Sequence, residues 1–355
     1  MAKIDHETIT VQSSNLLRVC EAILCAHGVL ENDASYVAWH LVETNLRGTD
    51  SHGVARLPHY VRRIMGGSIK AKPLISYEQA APSLGVVDGD NGLGHLVTRE
   101  AAEKAADLAD LNGSGWVGVK NSSHCGALAP YGLMLAARGM IGLVFSHVDP
   151  MVLPYGSRAP FCGTNPICLT APGANGLSLC LDMATSVVPW NLVANAATEG
   201  VSIPKGWAVD GNGVDTEDPQ AVNALYPFGQ HKGSGLGILI DVLCSLLTGA
   251  PYGPDIPKMY GDMGEPRRLG GMVGAIKVEP FLKTENFRNR VAEIMNRLAD
   301  LPPASGTERV RFPGEPELET KRVRSENGIP IGIKILAELN ELAISCGAQP
   351  LSKDL

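Results

Sequence analysis

The 355-residue sequence has no C-x-x-C pair, no H-E-x-x-H, no zinc-type spacing of histidine and cysteine, and no Walker A loop. Nothing in it therefore spells a structural metal, a zinc hydrolase or a P-loop nucleotidase. Long apolar runs are missing too. The longest, GLGILIDVLCSLLTGA at 235–250, contains Asp241 and falls short of the roughly 20 residues that cross a bilayer, so it reads as a core helix. There is no surplus of positive charge: a formal net charge of −7 gives nucleic acid or an anionic membrane no long-range attraction, and an anionic substrate must be captured locally. Repeats and low-complexity tracts are also absent. The opening MAKIDHETIT is polar and unlike a secretory leader, and five of the eight cysteines sit in apolar runs where a small hydrophobe fits equally well. Reduced thiols in a cytoplasmic protein are the expectation.

What is present describes a globular chain. Apolar residues make up 45% and charged ones 19%, which excludes disorder, and the length exceeds the about 250–300 residues that one core serves, so two or three lobes are expected. Residues 10–66 carry apolar positions every three or four residues and predict three helices, broken at Gly28 and near Gly48–Asp50. From about 83 to 280, strand-like runs (SLGVVDGD, WVGVK, IGLVFSH, NPICLTAP, LSLCLDMA) alternate with helical ones, an α/β texture. TENFRNRVAEIMNRLADL and IKILAELNELAI return the chain to helix. The proline-bearing PPASGTERVRFPGEPELETKRVR between them predicts a surface loop with a solvated basic face.

Two clusters carry chemistry. In SHGVARLPHY at 51–60, His52, Arg56 and Tyr60 recur every four residues, which on a helix would put an imidazole, a guanidinium and a phenol on one face beside Ser51. In NSSHCG at 121–126, His124 sits in a glycine-bounded turn after a strand-like run. The bland alternatives are a helix-capping Ser51, a surface Arg56 and a His124 merely hydrogen-bonded in its turn. Gly113, Gly115 and Gly118 spell G-x-G-x-x-G, yet they leave a helix and enter a strand, the reverse of a dinucleotide fingerprint. A helix C-cap and a tight turn are expected there, and a nicotinamide cofactor would need a fold other than the usual Rossmann one.

In order along the chain, SHGVARLPHY, NSSHCGALAPYG, VDPMVLPYGSRAPFCGTNPICLTAPG, LDMATS, IPKGWAVDGNGVDTEDP, HKGSGLG and FPGEPE resemble the successive signatures of the malate/L-lactate dehydrogenase type 2 family. The resemblance implies an α/β, non-Rossmann NAD(P)-binding fold with a mixed central β-sheet flanked by helical N- and C-terminal segments. It divides into a helical, substrate-binding lobe at 1–120, a cofactor-binding domain at 121–284, and a C-terminal helical segment at 285–355 packing back on the first lobe. It also implies a metal-free hydride transfer between NAD, with NADP not excluded, and a carbon beside a carboxylate, in a homodimer whose active site lies between lobes and near the partner.

By position in these motifs, His124 matches the proton acceptor, a task suited to an imidazole whose ordinary pKa of about 6.5 allows it to take and return a proton. Ser51, His52, Arg56 and Tyr60 match the substrate-binding segment, with Arg56 gripping the carboxylate. Asp182, Met183, Ala184, Lys232, Gly314, Glu315 and Pro316 match cofactor contacts, although Asp182 also suits a plain strand end. Thr164 and Asn165 are expected in the pocket wall, His59 in packing or at the surface. The family's serine before the DPM block is Val148 here. Asp149 and the segments DPMVLPYG and MYGDMGEPRRLGG resemble the ureidoglycolate-oxidising members, which makes (S)-ureidoglycolate, oxidised to oxalurate, the leading substrate. Asp149 would then face the ureido group and repel a second carboxylate, or else only cap the turn before Pro150. Malate, sulfolactate or lactate oxidation, or reduction of a 2-oxo acid or cyclic imine, are the alternatives.

Overall fold

The computed structural model describes residues 7–351. The chain opens with β1 (Thr8–Val11), α1 (Ser13–Ala26) and α2 (Glu31–Leu46), passes through 3-10 turns at Asp50–His52 and Val54–Arg56, and enters α3 (Leu57–Met65). Leu16, Val19 and Ile23 on α1 and Val37, Ala38 and Leu41 on α2 recur at helical spacing and close a common core. The three expected helices are present, but 51–60 is not one continuous helix. Asn45 Oδ1 accepts the Val54 N–H at 2.8 Å, and a Cβ on Gly53 would lie 2.0 Å from that oxygen, so the chain turns sharply at Gly53. Pro58 then sits in the first turn of α3, where a missing N–H costs nothing.

Next come β2 (Ser76–Ala81), β3 (Leu84–Asp88), α4 (Gly94–Asn112), β4 (Ser114–Ser122), α5 (Ala129–Ala137), β5 (Met140–Ser146), β6 (Ile167–Pro172), β7 (Ser178–Met183) and α6 (Trp190–Glu199). The short pair β8 (Ala208–Val209) and β9 (Ala224–Leu225), α7 (His231–Asp241) and β10 (Leu269–Lys277) follow. The chain ends through α8 (Thr284–Ala299), α9 (Glu315–Asn327), β11 (Ile329–Gly332) and α10 (Ile333–Ser345). Seven strands form one sheet in the order β2-β3-β4-β10-β5-β6-β7; β3 and β4 run parallel and every other pair antiparallel. The sheet is thus mixed, and non-Rossmann in connectivity. An alanine face of α4 (Ala101, Ala102, Ala105, Ala109) packs on Val117, Val119, Val273 and Ala275. Gly113 caps α4 at φ +84°, and a Cβ on Gly115 would meet Ala105 O at 2.1 Å, so these glycines serve the helix end and helix-sheet contact.

The expected division at 120/121 falls inside β4, whose pairing with β10 runs from Ser114 to Ser122, so one sheet draws on both sides of it. In the C-terminal segment, β11 pairs with β1, and Leu336 and Leu339 of α10 join the core of α1 and α2. Two element expectations are corrected. The expected loop at 302–324 contains most of α9, begun at Glu315 after the left-handed Gly314, with Pro316 in its first turn. Its basic residues are not simply solvated: Lys321 pairs with Glu43 at 2.7 Å, and Arg324 forks onto Asp50 at 2.6 and 2.9 Å. The expected core helix at 235–250 is half exposed. It widens into a π-turn at Val242–Leu246, and Leu239, Leu246 and Leu247 are 62, 57 and 65% exposed.

Candidate active site

A cavity of about 540 Å³ opens between the N-terminal lobe and the sheet. The turn after β4 brings His124 to its wall. From the other side, the two 3-10 turns bring Ser51, His52 and Arg56. Gly126 must be glycine there, because its φ is +75° and a Cβ would approach His40 Cε1 at 2.7 Å and His95 Nε2 at 2.8 Å.

Tyr60 lies behind His124 and is fully buried, a correction to its expected place on a shared substrate-facing surface. Its Oη is 2.7 Å from His124 Nδ1, which the Gly126 N–H also approaches at 3.3 Å. His124 Nε2 has no hydrogen-bond partner among the described residues. Burial, then the charges of His52, Arg56, His95 and Arg267, hold the His124 imidazole well below its usual range. His52 stacks on it at 5.4 Å and is itself pushed down to about 4 by burial and Arg56. Ser51 Oγ binds His52 Nδ1 at 2.8 Å.

Arg56 is already held in three directions: Nε donates to Ser51 O at 2.7 Å, Nη2 to Asn191 Oδ1 at 2.9 Å, and Nη1 to the Tyr260 hydroxyl. A guanidinium has five N–H groups, so two remain for a carboxylate. Asn191 and Tyr260, with Met259 and Trp190, complete this end of the cavity. Sequence reasoning missed them, since no spacing links 190 or 260 to 56.

Asp149 is on the wall, but its carboxylate is ion-paired with Arg267 and accepts the Met259 N–H at 3.3 Å. Arg267 is 3% exposed, and burial, opposed by Asp149, lowers it to about 10. This pairing overturns the expectation of a bare carboxylate that repels a second substrate carboxylate. His147, beside Asp149 in sequence, pairs instead with Asp241 at 2.8 Å and accepts the Gly270 N–H, a buried tie between β5, α7 and β10. His59 is buried against Arg63, in keeping with packing.

Asp182, Met183 and Ala184, at the end of β7, line the opposite wall. Asp182 Oδ2 accepts the N–H groups of Leu128 and Ala129 at 2.9 and 2.8 Å, so it caps the first turn of α5. The protein around it raises its carboxyl to about 6, against those two bonds and the Arg47 charge, even though its side chain faces the open cavity. Thr164 lines the wall as expected. Asn165 lies behind it, bonded to Gly237 O at 2.9 Å. Val148 is on the wall. Lys232 is exposed in the first turn of α7, away from the wall. Gly314, Glu315 and Pro316 are also off it: Gly314 packs on Cys180, Glu315 binds Arg309 at 2.7 Å, and the neighbouring Glu317 reaches the cavity instead.

A cavity of this volume, whose lining combines apolar residues (Ala127, Leu128, Pro166, Met183, Ala184, Phe228) with His52, His124, Arg47 and Arg56, has the mix that suits a flat ring and a small acid. Residues 11–340 match the malate/L-lactate dehydrogenase family. Ureidoglycolate dehydrogenase (NAD(+)) of Escherichia coli K12 is 36% identical over 93% of this chain and 92% of its own. Malate dehydrogenase of Pyrococcus abyssi is 35% identical over 98% of each. The solved sulfolactate dehydrogenase of Methanocaldococcus jannaschii superposes with a TM-score of 0.89 at 31% identity, covering 96% of this chain and 98% of that one. The chain belongs to the malate/L-lactate dehydrogenase family. It is an oxidoreductase, a dehydrogenase acting on 2-hydroxy acids.

Proposed function

We propose that the protein is an NAD-dependent dehydrogenase that oxidises a small 2-hydroxycarboxylate, with (S)-ureidoglycolate to oxalurate as the leading reaction. The observation that carries this reading is His124, tied at Nδ1 to Tyr60 and free at Nε2 among the described residues, lining the same cavity as Arg56. With Nδ1–H donating to Tyr60 Oη, Nε2 takes the hydroxyl proton. The ring is then imidazolium, and in the reverse direction that imidazolium returns its Nε2 proton to a 2-oxo group while Nδ1–H stays on Tyr60 Oη. Arg56 holds the carboxylate through its two remaining N–H groups, and Ser51 and His52 hydrogen-bond near the reacting oxygen. The apolar wall and the Asp182–Ala184 segment would hold the nicotinamide end of the cofactor, which supplies the hydride acceptor. NAD is preferred to NADP on the likeness to the NAD(+) enzyme of E. coli.

Ureidoglycolate is favoured because the Asp149 carboxylate keeps lone pairs to accept ureido N–H groups. Malate is the second reading, favoured by Arg267: a neutralised Asp149 offers no net charge against a second carboxylate. The test is kcat/KM with NAD for ureidoglycolate, malate, sulfolactate and lactate in the wild type and in Asp149→Asn. Ureidoglycolate should lead, and the substitution should lower its value while leaving malate within a few-fold. A wild type that prefers malate would replace the first reading with the second.

We also propose a homodimer in the cytosol. Its support is the exposed apolar strip Leu239, Val242, Leu246 and Leu247, together with eight cysteines that are all free thiols.

A further inference from the structure

Beside the cavity just described lies a second one of about 440 Å³, bounded by α2, the end of α5, the turn at 173–178, α8 and α9. Arg47, at the C-terminal end of α2, lines both. It is 95% buried, being only 5% exposed, yet its guanidinium has no hydrogen bond and no ion pair among the described residues. The nearby acids are spent elsewhere. Glu43 binds Lys321 at 2.7 and 2.8 Å, Asp50 binds Arg324, and Asp182, which feels the Arg47 charge, is turned to the α5 N–H groups. Glu317 shares the wall of the larger cavity without pairing with it.

An arginine buried to this degree usually has a partner. Here the chain supplies none, and the group stands where two cavities meet. The second cavity adds Lys321 and Arg288 against the single acid Glu43, so its excess charge is also positive. We infer that Arg47 anchors a phosphate oxyanion of a ligand that spans both cavities. The planar fork of arginine suits phosphate, and a dianion there would supply the missing counter-charge. The inference rests on the reading that a nicotinamide dinucleotide occupies the larger cavity. The dinucleotide's pyrophosphate is the expected source of the oxyanion, and a free inorganic anion is the other source with the same chemistry.

The experiment uses the full chain as wild type, Arg47→Met and Arg47→Lys. Thermal melting is followed with and without inorganic pyrophosphate, and NADH binding is read by its fluorescence. Removing an unpaired buried charge should leave the ligand-free Tm of Arg47→Met equal to or above that of the wild type. The same variant should bind NADH about ten- to a hundredfold more weakly, with Arg47→Lys in between. A structural arginine would do the opposite, lowering the ligand-free Tm and leaving NADH affinity intact, and that result overturns the inference. Equal NADH binding by wild type and Arg47→Met also overturns it, while the dinucleotide reading stands. If the wild type fails to bind NADH but is stabilised by pyrophosphate, and Arg47→Met is not, the dinucleotide reading falls and a phosphate site for free anions remains. No response of the wild type to either probe removes both.

Discussion

His124 and the groups around it set how the protein should respond to pH. With its pKa held well below the usual range, the imidazole stays neutral throughout the pH range where an ordinary histidine would protonate, as the proposed role of base requires. The acid limb of kcat/KM for oxidation should therefore lie well below pH 6.5, and a limb at 6.5 would mean the site is wetter than its packing implies. His124→Ala should lower kcat by about 10²–10⁴ with NADH affinity nearly unchanged; a variant keeping most of its kcat would pass the role of base to His52. Deeper in the same lobe, His95 and His40 are fully buried at 4.7 Å ring separation, and neither nitrogen of His95 has a hydrogen-bond partner among the described residues. Burial, with the neighbouring histidine charges, depresses His95 strongly and His40 to about 3. A depressed histidine favours the fold above its unfolded pKa of about 6.5, and that contribution is lost as pH falls towards the folded value. His95→Leu should therefore shift the acid unfolding midpoint downward, and circular dichroism against pH reads it directly. An unmoved midpoint would assign acid unfolding to other groups.

At the scale of elements, one buried side chain fastens the cavity's rim. Arg63 of α3 donates to the carbonyls of Lys258 and Met259 at 3.1 and 2.7 Å and of Glu265 at 3.2 Å, which pins the segment carrying Met259 and Tyr260 to the N-terminal lobe. Arg63→Met should free that segment. Hydrogen exchange should rise across 258–265 and KM for the hydroxy acid should increase several-fold, with kcat changed less; unchanged protection would show that the segment is held by its own packing. Most elements were legible because apolar residues alternate or recur where a strand or helix faces the core. His124, Arg56 and the β7 end, which line one cavity, stood out as motifs. Three things were not legible. The break at Gly53 depends on an Asn45 side chain from the preceding helix, α9 is hidden by proline and charge in a stretch whose partners lie on α2, and Asp149 reads as an open carboxylate until Arg267 folds against it. In each case the deciding contact is tertiary, which no local pattern encodes.

For the whole molecule, the exposed strip on α7 and the π-turn is the testable surface. A patch of this kind on a monomer is a liability unless it is covered. Leu239→Asp combined with Leu246→Asp should convert a dimer to a monomer in sedimentation equilibrium, with the monomer remaining folded. A wild type that sediments as a monomer would remove the proposed assembly.

The position of β10 bears on how the chain reaches this shape. Strands β4 and β5 are nearly consecutive in sequence yet do not pair with each other; the strand that joins them is β10, which arrives about 120–150 residues later. Until residue 277 has been made, the sheet can exist only as two separate three-stranded pieces, each with a long open edge facing the other. Such edges invite pairing with other chains. Biosynthesis therefore passes through a stage in which most of the active-site residues are present but the two halves that carry them are unjoined. Substitutions in the LGGMVGAIK segment should show their effect chiefly as lost soluble yield during expression, before any defect appears in purified enzyme.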